Sequence, residues 1–208
     1  MASTALKAPA QISAGCSQND MNQVTRAEAE YSVRQLIRWI GDDPDREGLI
    51  ETPARVVKAF EEWFSGYHQE PNEILSKTFE EVEGYDDLVL LRGIRLESYC
   101  EHHMAPIIGK AHVAYQPGSR VVGISKLARL VETYSKQLQI QEKLTAQIAN
   151  TLDAILQPKG VAVMISAEHQ CMSTRGVHKH DVDTITSRFT GCFESDANLQ
   201  NRFLHLVG

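Results

Sequence analysis

The first quarter of the chain places its apolar residues with the spacing of helices. Thr25 and Glu28 have the separation of a capping box, and apolar residues then recur every three or four positions as far as Gly41. A second stretch of this kind starts at Thr52, with Pro53 at the first helical position. The pattern therefore predicts two amphipathic helices at the start of the chain.

Beyond residue 76, apolar residues alternate with polar ones, and this alternation predicts strands. Two helical stripes interrupt the strands. One starts at Ser125, which is expected to be its N-cap, and the other runs over residues 144–155 and stops before Pro158. A last helix is predicted over residues 196–206. The predicted strands occupy residues 78–82, 88–97, 111–115, 121–122, 161–171 and 184–193.

The order of these elements predicts the fold class. Helices, strands, two helices, strands and a last helix suit an α+β domain in which an antiparallel sheet carries helices on one face. With 208 residues and 42% hydrophobic content, the chain is large enough to bury a core. We expect a flexible tail over residues 1–22, a helical region over residues 23–76 and the domain that contains the sheet over residues 77–208.

Charge and cysteine content argue against several classes of protein. A net charge of −6 is unlike that of a protein that coats nucleic acid, and no apolar run approaches the roughly 18 residues of a membrane span. We therefore expect neither nucleic acid nor membrane as a partner. The four cysteines follow no secreted disulfide framework, and no signal peptide is recognisable, so a cytoplasmic location is expected.

Thiol and imidazole side chains form the strongest chemical signal. Cys100 and His103 have the spacing of metal ligands, and Cys171 follows His169 by two residues. A period of two puts His169 and Cys171 on one face of the predicted strand, at its end. Thiolate and imidazole suit zinc, so Cys100, His103 and Cys171 are predicted to bind Zn²⁺. Three protein ligands leave the fourth position to water, as in catalytic zinc sites.

The other cysteines and histidines have simpler interpretations. Cys16 and Cys192 are expected to be small buried hydrophobic residues. His178 and His180 are expected to lie in a solvated loop. His102, next to a predicted ligand, is either exposed or a proton carrier near the metal.

Several separate motifs resemble those of GTP cyclohydrolase I, in the same order along the chain. They lie at residues 51–55, 100–103, 123–129, 139–145 and 169–176, and the similarity runs from about Thr25 to residue 208. This family converts GTP and water into formate and 7,8-dihydroneopterin triphosphate, the first step toward folate and tetrahydrobiopterin. The resemblance implies a tunnelling fold whose subunits join their sheets in a ring. It also implies a homo-oligomer, usually a decamer, with sites at subunit interfaces.

The resemblance also implies roles for the matching residues. It supports zinc at the three ligands named above, and it implies that His102 and His169 donate or accept protons, with Ser125 near the ribose. The implied substrate contacts are Glu142, Gln141, Lys126, Arg129 and Arg175, with Arg55 and Lys58 from a neighbouring subunit.

Elementary chemistry agrees with the implied substrate. Guanine presents N1–H and N2–H donors side by side, which one carboxylate accepts together, and adenine lacks this pair. Glu142 can therefore select GTP over ATP, although a glutamate at a helix start is by itself more often solvated. Lys126 and Arg129 lie three residues apart near a predicted helix N-terminus, where phosphate binds favourably. In an acidic chain, this basic group favours a tetra-anionic ligand over a merely solvated face.

Two other functions use similar residues. A zinc nucleobase deaminase also binds its metal through histidine and cysteine, but its His-x-Glu and Pro-Cys-x-x-Cys signatures are absent from this sequence. A structural zinc module needs a fourth protein ligand, and the sequence offers none at suitable spacing unless His169 serves. For a cyclohydrolase, His169 is expected to protonate N7 of guanine during hydrolysis at C8, and His102 and Ser125 are available for later proton transfers.

Overall fold

The computed structural model describes residues 24–76, 78–80 and 84–208. The chain divides into two compact units, Met1–Ala59 and Phe60–Gly208. The predicted tail and Cys16 lie outside the described residues, and the predicted boundary between residues 76 and 77 stays a prediction. Among the residues that are described, no helix is both long and apolar enough to cross a membrane.

The first two helices begin where the sequence predicts. They are α1 (Arg26–Trp39) and α2 (Thr52–Trp63). The Thr25 hydroxyl accepts the N–H of Glu28 at 3.3 Å, and the Glu28 carboxylate accepts the N–H of Thr25 at 2.8 Å. This reciprocal pair confirms the capping box and satisfies two backbone donors at the start of α1.

The remaining elements follow in the second unit, together with a 3₁₀ turn at Ser65–His68. The strands are β1 (Thr78–Phe79), β2 (Val89–Cys100), β3 (Pro106–Gln116), β4 (Val121–Val122), β5 (Leu138–Gln139), β6 (Gly160–His169) and β7 (Asp183–Phe189). The helices are α3 (Pro71–Leu75), α4 (Ile124–Ser135), α5 (Gln141–Leu156), α6 (Gln170–Ser173), α7 (Cys192–Ser195) and α8 (Ala197–Val207).

Five of these strands form one sheet, in the order β5-β2-β3-β6-β7. The neighbours from β2 to β7 are antiparallel, as predicted, whereas the two-residue β5 pairs in parallel with the end of β2. The sequence does not predict β5, because two residues carry no periodic signal. β1 and β4 pair with each other in a separate antiparallel ladder.

The main core lies between one face of this sheet and the helices α4 and α5. Alternate residues of β3 and β6 reach this face, and apolar residues of both helices cover them. The fully buried members include Ile107, Val113, Tyr115, Leu127, Leu130, Leu144, Ile148, Leu152, Val163 and Ile165. The two predicted helical stripes are thus confirmed as the core-facing sides of α4 and α5.

A smaller core lies on the opposite face of the sheet. Phe193 and Phe203 of α7 and α8 pack there against Ala114 of β3 and Ala162 of β6. Small alanine side chains leave room for the two aromatic rings. The prediction that helices cover one face is therefore wrong for the C-terminal helix, which packs on the other face.

An irregularity in β2 decides which of its residues face the main core. Arg92 and Gly93 together stand opposite the single residue His112 of β3, which is a β-bulge, and Gly93 has a φ of +74°. Before the bulge Leu91 packs on the main core, and after it the even-numbered residues do so, ending with Cys100. The extra residue therefore turns Cys100 toward the helix-covered face.

Candidate metal and substrate site

Cys100 ends β2 and is 5% exposed at the edge of the main core. It opens a tight turn to β3, in which its N–H donates to the carbonyl of Ala105 at 2.9 Å and its carbonyl accepts the N–H of Met104 at 2.8 Å. Met104 has a positive φ of 53°, which closes the turn. The segment after Cys100 is thus a tight turn that joins β2 to β3.

The turn presents both neighbouring histidines to solvent. Nδ1 of His102 and Nδ1 of His103 each lie 3.8 Å from the sulfur of Cys100. Nε2 of His103 accepts a hydrogen bond from Nη1 of Arg175 at 2.7 Å. Arg175, a predicted substrate contact, therefore lies directly beside the predicted metal ligands.

Cys171 reaches the same place from a different element than predicted. β6 ends at His169, and Cys171 lies in the short helix α6 instead of continuing the strand. Ile107 of β3 pairs with both Ser98 of β2 and His169 of β6, so an extended strand would bring Cys171 level with Cys100 but two strand spacings, about 10 Å, away from it. The helical turn keeps Cys171 near the end of β6. The predicted shared strand face is confirmed as far as His169 and is wrong for Cys171.

The three predicted ligands converge. One ligand atom from each of Cys100, His103 and Cys171 lies within 4.8 Å of the other two, and this is the sole group of this kind found among the described residues. Burial, followed by the neighbouring Cys100, raises the pKa of the Cys171 thiol. On its own the Cys171 thiol therefore resists ionisation, whereas a divalent cation would stabilise its thiolate. The donor set therefore fits a zinc ion with three protein ligands.

His169 and Gln141 form a buried polar contact beside this cluster. Gln141 begins α5 and is 1% exposed, and its Oε1 lies 2.8 Å from Nε2 of the half-buried His169. Burial lowers the pKa of His169, and the charge of nearby Glu142 opposes this effect. The side chain of Glu142 itself is exposed in the first turn of α5. The site thus combines a restrained imidazole with a free carboxylate.

Further predicted residues lie on α4. The helix begins at Ile124 with Gly123 as its N-cap, so the prediction of Ser125 as the cap is wrong, and Ser125 is exposed in the first turn. Lys126 and Arg129 line a cavity of about 550 Å³. The other lining residues, which the sequence does not single out, are His68, Gln69, Glu70, Glu73, Ile74 and Glu132.

Two predicted contacts belong to the first unit. Arg55 lies on α2 in an ion pair with Glu51, and both are well exposed. Arg55 and Lys58 line a depression of about 410 Å³ on that unit. Their proposed role on a neighbouring subunit stays a prediction.

Sequence reasoning correctly placed the minor cysteine and histidine residues that are described. Cys192 is half-buried against the smaller core, as expected. His178 and His180 are exposed between α6 and β7, also as expected. The sequence does not predict the partners of Gln141, which come from β6 and β7. Side chains that meet through a sheet have no fixed sequence spacing, so no local signal predicts them.

Together these features define an α+β protein with a Cys₂His cluster that could hold a metal ion, and three protein ligands are the number found in catalytic zinc sites. The sequence model of GTP cyclohydrolase I matches residues 29–208. The chain belongs to the GTP cyclohydrolase I family.

Relatives of known name agree with this assignment. A protein named GTP cyclohydrolase 1 from Hyphomonas neptunium is 60% identical over 91% of this chain and 92% of its own length. Another of that name from Maricaulis maris is 60% identical over 88% of this chain and 89% of its own. A solved structure of an archaeosine synthase QueF-Like is similar at 21% identity over 50% of this chain and 93% of its own, with a TM-score of 0.41. The family assignment rests on the sequence relatives.

Proposed function

We propose that this chain hydrolyses GTP at C8 of guanine and releases formate and 7,8-dihydroneopterin triphosphate. The observation that carries the proposal is the convergence of Cys100, His103 and Cys171 next to the His169–Gln141 pair. When bound, Zn²⁺ lowers the pKa of a water molecule toward 7 and so supplies hydroxide at neutral pH. The deaminase and the non-catalytic zinc module have no comparable support, because the chain belongs to a cyclohydrolase family.

Glu142 is the proposed reader of guanine. Its exposed carboxylate can accept N1–H and N2–H of the base together. Glu142 directly follows Gln141, whose side chain contacts His169, so a base held by this carboxylate would lie near the imidazole. Recognition of the base and proton transfer are therefore proposed to occur side by side.

His169, His102 and Ser125 are the proposed groups for proton transfer. His169 is hydrogen-bonded to the buried Gln141 and is the proposed proton donor to N7 of guanine. His102 is exposed on the β2–β3 turn, and Ser125 is exposed at the start of α4. Both side chains face solvent, and they are proposed to act in the later steps at the ribose.

The triphosphate is proposed to lie over the basic residues of α4 and Arg175. Lys126 and Arg129 share the wall of one cavity, and Arg175 is next to His103. Arg55 and Lys58 are proposed to come from a neighbouring subunit of a ring-shaped homo-oligomer with the tunnelling fold, which we propose to be a decamer. The product would enter folate or tetrahydrobiopterin synthesis in the cytoplasm.

One assay tests the function. Purified protein loaded with zinc is mixed with GTP, and the release of formate and the fluorescence of an oxidised pterin are measured. We expect both products from GTP and neither from ATP, because adenine cannot satisfy Glu142. Absence of formate from GTP would contradict the proposal, and release of ammonia without formate would indicate a deaminase.

A further inference from the structure

Gln141 makes a set of hydrogen bonds that determines which way its amide faces. Its Nε2 lies 2.8 Å from the carbonyl oxygen of Thr184 and 3.2 Å from that of Ile165. Carbonyl oxygens only accept hydrogen bonds, so the atom facing them must be the NH₂ group. The reversed amide would bring its oxygen against two other oxygens. The amide oxygen of Gln141 must therefore face Nε2 of His169, at 2.8 Å.

Two threonine hydroxyls support the same orientation. The Thr145 hydroxyl donates to the main-chain carbonyl of Gln141 at 2.8 Å, which uses its single proton. In the contact of 2.6 Å between Thr145 and Thr186, the donor must then be Thr186. The oxygen of Thr186 is left to accept, and it lies 3.2 Å from Nε2 of Gln141. Every donor in this chain of contacts has an acceptor.

The direction of the hydrogen bond between His169 and Gln141 follows from this orientation. The amide oxygen of Gln141 only accepts, so Nε2 of His169 carries the proton, and in the neutral ring Nδ1 carries none. We infer that Gln141 is a positioning residue: it holds His169 in the tautomer with a proton on Nε2 and leaves Nδ1 as the nitrogen available to the substrate. This inference rests on the proposed function for the role of His169, but not for its tautomer.

An unprotonated Nδ1 on His169 changes the expected order of proton movements. A neutral His169 cannot give a proton from Nδ1 until it has accepted one there. Hydration of the C8–N7 double bond supplies that proton: the oxygen of water bonds to C8, one water proton passes to Nδ1, and the π electron pair moves to N7. Transfer of the proton from Nδ1 to N7 completes the addition of one water molecule. Throughout, the Nε2 proton stays on the hydrogen bond to Gln141.

The inference also assigns Gln141 a role other than substrate contact. Both amide protons and the amide oxygen have partners within the protein, and the residue is 1% exposed. Both amide protons are used and the side chain is buried, so a direct bond to guanine would require Gln141 to leave this position. Its effect on the reaction should therefore pass through His169.

The tautomer is measurable without any assay of activity. The full-length, zinc-loaded protein is labelled with ¹⁵N-histidine, and the signals of His169 are assigned by their absence from His169→Asn. We expect the proton on Nε2 and an unprotonated Nδ1, seen from the ¹⁵N shifts and the couplings to the ring protons. A proton on Nδ1 of His169 in the wild-type protein would overturn the inference.

Substitutions separate positioning from substrate contact. In Gln141→Leu we expect a mixture of His169 tautomers and a fall in kcat of about 10- to 100-fold, the usual range for residues that orient a functional histidine, with little change in KM for GTP. In Gln141→Glu, one oxygen still faces His169, but the other replaces the NH₂ group against the carbonyl oxygens of Thr184 and Ile165, so kcat should fall in this variant too, with little change in KM. An increase in KM with unchanged kcat and unchanged tautomer would overturn the positioning role.

A matched control lies on the same helix. Gln147 of α5 accepts a hydrogen bond from Gln139 at 2.9 Å, and Gln147→Leu makes the same chemical change away from His169. We expect its tautomer and kcat to equal those of wild type, and circular dichroism shows whether each variant folds. If Gln141→Leu does not fold, the tautomer measured in the wild-type protein still decides the question. If wild type produces no formate, the proposed function fails, while the measured tautomer still tests the arrangement of Gln141 and His169.

Discussion

His169 and His102 are both proposed to move protons in one site, yet the protein holds them in opposite ways. His169 ends a central strand, is half-buried and is hydrogen-bonded to the buried Gln141. His102 lies exposed on a turn, where its Nδ1 is 3.8 Å from the Cys100 sulfur and its Nε2 is 4.0 Å from Glu101. His169 is therefore suited to one fixed proton position, and His102 to several.

The largest effect is expected from removing one of the three predicted zinc ligands, because both histidines are proposed to act beside the metal. Cys171→Ser should lose zinc and bring formate release to background, because a neutral hydroxyl is a poor replacement for a thiolate ligand. Metal analysis of the purified protein and the formate assay measure the two losses. Cys192→Ser, remote from the ligand cluster, is the control and should keep its zinc. Full zinc content in Cys171→Ser would show that Cys171 is not a ligand.

His169→Ala should lower kcat by about 10²- to 10⁴-fold, the range for loss of a positioned acid or base. Its zinc content should equal that of wild type, since the three ligands remain. Single-turnover kinetics and metal analysis on one preparation check both expectations. A parallel loss of zinc would mean that His169 is itself a ligand, and the contrast with His102 would then have a different cause.

Glu142→Ala should lower kcat/KM for GTP by on the order of 10²-fold, because it removes two hydrogen bonds to a charged acceptor, worth together about 3 kcal/mol at the lower end of their usual range. Steady-state kinetics with GTP measure the effect. Lys143→Ala, on the next residue of the same helical turn, is the control and should change little. Unchanged GTP affinity in Glu142→Ala would rule out the proposed reading of guanine.

The smallest effect is expected for His102→Asn, with a fall in kcat of about 10- to 100-fold, which is at or below the lower limit of the usual contribution of acid–base catalysis. Water can partly replace an exposed side chain such as His102. It cannot replace the restrained His169 in this way. Measuring both variants at the same pH and zinc content makes the comparison direct. A greater loss in His102→Asn than in His169→Ala would reverse the proposed division of roles.

Much of the fold follows from short-range patterns in the sequence. The start of α1 was predictable because Thr25 and Glu28 satisfy each other's backbone donors within one turn. The core sides of α4 and α5 were predictable from the helical spacing of their leucines and isoleucines. The position of α8 on the far face was not, because it depends on the space above Ala114 and Ala162, which no local pattern encodes.

The candidate site likewise has residues whose positions the sequence predicts and residues whose positions it does not. The spacing of Cys100 and His103 signals a ligand pair, since both come from one turn. Cys171 was expected on a strand, because an odd-numbered series of apolar residues leads to it, but α6 interrupts that series after His169. The surroundings of Gln141 depend on β7, whose register against β6 is set by the sheet as a whole. Contacts of this kind require the three-dimensional structure.

The bulge at Arg92 and Gly93 has a consequence for insertions and deletions. Between Gly93 and Cys100 the side chains alternate strictly, so the number of residues in this stretch matters as much as their identity. A variant that loses one of them keeps every ligand in its sequence, yet turns Cys100 to the opposite side of the sheet. Loss of two residues restores the side and shortens the strand. Among related chains, the length of this segment should therefore vary in steps of two or not at all.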